Sequence, residues 1–183
     1  ININDSKLTI DKSFINLSKI NVNLDILNFL KNKKSIKKIQ KITEENKLKN
    51  VKNFINSYKF NLSRTIVFSQ IRDGNIKAIL NIYFDKSNND NFSYEIEGYV
   101  KNGKINLIEN DNLNKLNFNF KINEKENNLE NIKFEHQKIN YKSKKISILN
   151  IEENFKVNGE LISEKGLINP NFLSKLLNIN LDI

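Results

Sequence analysis

The stretch Phe92-Ser93-Tyr94-Glu95-Ile96-Glu97-Gly98-Tyr99-Val100-Lys101 alternates apolar and polar residues with hardly a slip. Phe92, Tyr94, Ile96 and Val100 fall on one side, and Ser93, Glu95, Glu97 and Lys101 on the other. Leu116, Phe118, Phe120 and Ile122 repeat the pattern against Asn117, Asn119 and Lys121. A period of two is the mark of antiparallel strands with one wet face and one apolar face.

The same grammar extends on both sides. Ile76, Ala78, Leu80, Ile82 and Phe84 alternate before this stretch, and Ile132, Phe134, Ile139, Tyr141, Ile146, Ile148, Phe155, Val157 and Leu161 carry it onward. Asp73-Gly74 and Asn102-Gly103 read as hairpin turns, because both dipeptides favour positive φ. Near the start, Leu8 and Ile10, then Ile20, Val22 and Leu24, predict two strands around a turn at Asp11-Lys12-Ser13. Three segments suit helices. Residues 25–32 offer Asn23 or Asp25 as cap with Ile26, Leu27 and Leu30 on one face. Residues 46–58 space Leu48, Val51, Phe54, Ile55 and Tyr58 helically, and residues 170–177 follow an Asn169-Pro170 start. Residues 35–43 read either way: Ile36, Ile39 and Ile42 have helical spacing, but β-branched residues suit a strand. The expected organisation is therefore initial strands over 1–24, a helical insertion over 25–64, an antiparallel β meander over 65–165, and a short helix and strand start over 166–183. The fold class is mainly β with a helical insertion, as a curved antiparallel sheet or open groove with one apolar face.

Asn, Lys and Ile dominate the 183 residues, with one alanine (Ala78) and no methionine, cysteine or tryptophan. An AT-rich genome produces that bias. The chain reads as a piece of a longer protein. No run of about 18 apolar residues marks a membrane-spanning helix. Without cysteine there are no disulfides and no thiolate metal ligands. Most of the net charge of +9 comes from residues 31–52, where nine lysines face only Glu44 and Glu45. A solvated surface is the plain reading of that cluster. Anionic lipid headgroups are the next, since lysines attract them without specificity. Nucleic-acid recognition draws on arginine and aromatic residues, and the cluster contains neither.

Nothing in the sequence converges as catalytic groups do. His136 is the one histidine, and it follows Phe134 in alternation, at the apolar face or its rim. Alone it makes no ordinary zinc site. Glu95 and Glu97 project from the wet face of a strand, with no shielding to shift a carboxyl pKa. Nucleophile-elbow and phosphate-cradle motifs are missing. The expectation is a protein that is not an enzyme and has no cofactor.

Two segments, Tyr94-Glu95-Ile96-Glu97-Gly98-Tyr99-Val100 and Phe155-Lys156-Val157-Asn158-Gly159-Glu160-Leu161, share an apolar-x-apolar-x-Gly-x-apolar pattern. The order of segments over residues 1–165 runs from a strand pair through Leu24-Asp25-Ile26-Leu27-Asn28-Phe29-Leu30 and Val51-Lys52-Asn53-Phe54-Ile55. It continues through Ile71-Arg72-Asp73-Gly74-Asn75-Ile76 and the glycine-punctuated strands to Leu129-Glu130-Asn131-Ile132-Lys133-Phe134. In this order the chain resembles the middle of an AsmA-like bacterial envelope protein, the group that includes TamB and YhdP. The resemblance implies a long β-groove in the periplasm, anchored in the inner membrane by a helix outside this segment. It also implies passage of phospholipids along that groove in support of the outer membrane. The partners it implies are phospholipid acyl chains and further segments of the same chain. The family has no catalytic residues to transfer; the groove lining would be Ile96, Val100, Leu116, Phe118, Phe120 and Phe134. The competing readings are a structural β-repeat module whose apolar face is ordinary core, and a basic nucleic-acid-binding domain resting on the lysine cluster alone.

Overall fold

The computed structural model describes residues 2–10, 13–24, 36–48, 71–84, 92–106, 112–151 and 154–164. Every element among them is a strand: β1 (Asn2–Ile10), β2 (Ser13–Leu24), β3 (Ile36–Thr43), β4 (Asn46–Lys47), β5 (Ile71–Phe84), β6 (Phe92–Asn106), β7 (Asn112–Asn123), β8 (Glu126–His136), β9 (Ile139–Ile151), β10 (Asn154–Gly159) and β11 (Ile162–Ser163). They form one sheet in the order β1-β2-β3-β5-β6-β7-β8-β9-β10, with β4 beside β5 and β11 beside β9. All pairings are antiparallel. The sheet does not close, since β1 and β10 end the order without pairing to each other.

Within the helical insertion expected over 25–64, the described residues 36–43 and 46–47 are strand and correct it there. Residues 36–43 are strand β3, which joins the sheet between β2 and β5. Asn46 and Lys47, placed at the start of a helix by spacing, pair instead with Ile76 and Asn75. Two forces decide the outcome. The Ile- and Thr-containing β3 has the β-branched content that packs well on a pleated surface. Asn46 is buried and locked by its own amide: its Oδ1 accepts from the Asn16 backbone N–H at 2.8 Å, and its Nδ2 donates to the Asn16 and Glu44 carbonyls at 3.0 and 2.8 Å. The expected helices over 25–32 and 170–177, and residues 49–58 of the third, lie outside the described residues.

Asp73-Gly74 and Asn102-Gly103 are also corrected. Neither is a hairpin turn. Each lies inside a long strand, where the pairing slips: between Asp73 and Asn75 in β5, and between Val100 and Gly103 in β6. Gly74 has φ of 121° and Asn102 of 49°. Positive φ is what a glycine or asparagine permits, and a bulge uses it as readily as a turn does. Lys115 on β7 and Asn131 on β8 continue the series, with φ of 53° and 54°, each beside a further register shift. Bulges thus run from strand to strand across β5, β6, β7 and β8. The Asn117 side chain ties two of them together: its Oδ1 accepts the Asn102 N–H at 3.1 Å and its Nδ2 donates to the Lys115 carbonyl. Bulges bend and twist a sheet, and a row of them bends it along a line.

The core gathers beside this row of bulges. A flat single sheet leaves its apolar face bare. Here Leu48, Ile76, Val100, Ile105, Leu113, Leu116, Phe120, Ile122, Ile132, Phe134 and Tyr141 are buried in one cluster. The register puts those of β5 to β9 on one face of the sheet. The other face is polar. On it an amide relay crosses three strands, from Asn21 Nδ2 to Gln40 at 2.8 Å and from Gln40 Nε2 to Asn81 at 2.9 Å. Lys121 pairs with Glu95 at 2.7 Å on the same face.

Candidate functional site

The apolar face divides into a closed part and an open part. The closed part is the core cluster around the row of bulges. Four of the six proposed lining residues belong to it: Val100, Leu116, Phe120 and Phe134 are each no more than 7% exposed. Phe134 is stacked on Tyr141 with ring centroids 5.1 Å apart, and Leu116 packs over Gly103. Ile96 and Phe118 are half-buried at the margin of this cluster. Phe118 and Phe120 sit side by side, centroids 6.1 Å apart. The structure therefore brings all six onto one face, and the chain's own packing covers four of them.

The open part continues the same face toward β1. Ile96 pairs with Leu80, Leu80 with Lys41, and Lys41 with Ile20. One step along, Tyr94 pairs with Ile82, Ile82 with Ile39, and Ile39 with Val22. All of these side chains are half-buried. Ile20, Val22, Ile39, Leu80, Ile82 and Tyr94 are thus candidate lining that the sequence reading did not nominate. The alternation from Ile76 to Phe84 was the available signal for β5. For β3 the signal was masked by isoleucines at a spacing of three, which in a strand puts Ile39 and Ile42 on opposite faces.

Burial raises the Tyr94 hydroxyl above the ordinary tyrosine range, and the nearby Glu124 carboxylate raises it further. His136 is buried on the apolar side, opposite Leu113 and Ile139 in register, with its ring 6.3 Å from that of Tyr141. Among the described residues no three His, Cys, Asp or Glu side chains gather as metal ligands.

On the polar face a hollow of about 450 Å³ is lined by Lys77, Glu97, Tyr99, Asn119, Lys121 and Glu130, among others. Its walls carry both charges in similar number, which suits a solvated surface better than recognition of one sign of charge. Of the lysine cluster, Lys37 and Lys47 are exposed, while Lys38 and Lys41 are half-buried. Lys38 lies over the Tyr83 ring, 5.0 Å from its centroid. Comparison with known proteins gives no family for the chain: no family model, no curated protein and no solved structure matches it.

Proposed function

We propose that the chain is a segment of an AsmA-like periplasmic protein that takes phospholipid acyl chains onto its apolar sheet face, in support of lipid transfer from inner to outer membrane. The observation that carries this reading is that the apolar face does not stop where the core stops. It runs on through Ile96, Leu80, Ile82, Ile39, Val22 and Ile20, all half-buried rather than closed off. An acyl chain laid there gains about 0.8 kcal/mol for each buried methylene. Aliphatic lining with few polar groups favours every position along it alike, so a chain can slide. In the whole protein the anchor lies elsewhere, and the sheet continues at its edges into further segments of the same chain. No catalytic step and no cofactor are needed.

The burial of Val100, Leu116, Phe120 and Phe134 favours a second reading, a structural β-repeat module of an envelope or surface protein without lipid cargo. Native mass spectrometry with lipid extraction separates the two. The chain is purified from a bacterial periplasm. Co-purifying phospholipid that is lost in Ile82→Asp, with the β-sheet circular dichroism retained, supports the lipid reading. A folded, monodisperse, lipid-free chain supports the structural module.

A further inference from the structure

The apolar face carries one lysine in an unexpected place. In β3 the register sets Gln40 opposite Asn81 and Asn21 on the polar face, and this is fixed by the amide relay between them. Lys41 therefore falls on the apolar face, directly between Ile20 on β2 and Leu80 on β5. Ile39 lies two residues away on the same side. Among the described residues at paired positions of this face from β2 to β9, Lys41 is the one Lys, Arg, Asp or Glu; the Glu124 carboxylate near Tyr94 belongs to the β7–β8 turn, three strands away from β3. Its cross-strand neighbours are aliphatic, so no carboxylate faces it across β2 or β5. On the polar face, by contrast, Lys121 meets Glu95 at 2.7 Å.

A half-buried lysine in an aliphatic field lays its methylene stem along the apolar surface and keeps its ammonium at the boundary with water. A neutral alkyl chain gains nothing from it. An amphiphile with acyl chains and an anionic head gains twice, through its chains on Ile20, Ile39 and Leu80 and through its head on the ammonium. Because that contact is shielded from water on its apolar side, it is stronger than a surface pair.

We propose that Lys41 is a headgroup-binding residue, and that the cargo of the open part of this face is a phospholipid with a net negative head. The inference rests on the acyl-chain reading above and narrows it to a lipid class.

The test uses the whole 183-residue chain. Phosphatidylglycerol and phosphatidylcholine with identical palmitoyl-oleoyl chains are offered in equal amounts in neutral-detergent micelles, so that attraction to a charged bilayer plays no part. Bound lipid is counted by native mass spectrometry. The chain should hold phosphatidylglycerol over phosphatidylcholine by about ten-fold, the size of one charge-assisted hydrogen bond. Lys41→Gln should bind both lipids equally with total occupancy kept, Lys41→Arg should retain the preference, and Lys47→Gln should match the parent. Circular dichroism checks that each variant keeps its sheet. A parent chain that binds both lipids equally, or a Lys41→Gln variant that keeps the preference, overturns the headgroup assignment and leaves the acyl reading standing. Binding of neither lipid by the parent overturns both.

Discussion

Gly98 on β6 and Phe120 on β7 are direct cross-strand partners, and a Cβ on Gly98 would stand 2.8 Å from the tip of the Phe120 ring. It would come closer still to the Lys77 carbonyl oxygen. The ring can bend over β6 only because that position lacks a side chain. Gly159 repeats the arrangement with Ile146, whose Cγ1 would be 2.9 Å from an added Cβ. The two glycines of the shared sequence pattern thus have one physical role: each lets a large partner on the next strand lie flat across its own strand.

Gly98→Ala should therefore destabilise the sheet by about 2–3 kcal/mol, within the range for overpacking. The Lys77 backbone cannot rotate away as a side chain would. Gly103→Ala should cost less, since its nearest contact would be the Leu116 Cβ at 3.2 Å. Urea unfolding of the two variants checks the order; equal losses would mean that the β5 and β6 backbones shift to admit the methyl group.

The closed and open parts of the apolar face should respond differently to truncation. Phe134→Ala removes a stacked, buried ring and should lose about 3–5 kcal/mol. Leu80→Ala, at a half-buried position, should lose about 1 kcal/mol. Thermal melts followed by circular dichroism report both. A Leu80→Ala loss as large as that of Phe134→Ala would mean that the open part is as tightly covered as the core.

Asn117 should behave as a staple between bulges. Asn117→Ala gives up the hydrogen bonds to Asn102 and Lys115 and should lower stability by about 1–2 kcal/mol. The urea midpoint should fall with the slope unchanged. A changed slope would point instead to a native state already partly open.

Stability should decline at alkaline pH, in part through Tyr94. Its hydroxyl has a raised pKa in the fold because burial, then Glu124, disfavours the phenolate. The fold thus holds the proton more tightly than the unfolded chain does. The stabilisation is complete below the unfolded value near 10 and is lost as pH rises through the folded value. Tyr94→Phe should flatten the alkaline limb of a stability–pH curve. An unaltered limb would assign the decline to other groups.

Much of the sheet could be read from alternation, because a period of two needs no knowledge of partners. Ile76 to Phe84, Phe92 to Val100 and Leu116 to Ile122 lie on the face the pattern assigns. What failed were the features that depend on a neighbour. Positive φ at Gly74 and Asn102 suits a hairpin or a bulge equally, and only the next strand's register decides. Gln137-Lys138 is a true two-residue hairpin, with φ of 48° and 65°, yet it lacks the Asn-Gly chemistry that announces one. β3 was ambiguous because isoleucine occurs on both of its faces: Ile39 packs toward the apolar side, while Ile42 sits opposite Ile79 on the other. The six proposed lining residues share one face, but alternation reports a face and not what lies over it. Lys41 could be read only as one member of the 31–52 cluster offered to anionic headgroups, because a run of lysines looks uniformly wet until the pairing singles one out.

The row of bulges also answers a problem of copying. Strands written mostly in Asn, Lys and Ile look alike, and a slip of two residues would return apolar side chains to the apolar face at little penalty. Alternation alone cannot forbid such a slip. A residue at positive φ in each of β5, β6, β7 and β8, with Asn117 bridging two of them, acts as an index notch: a strand displaced by two brings its notch against a regular stretch of its neighbour, and the mismatch is felt at once. A chain with so restricted an alphabet thereby keeps its place from one strand to the next.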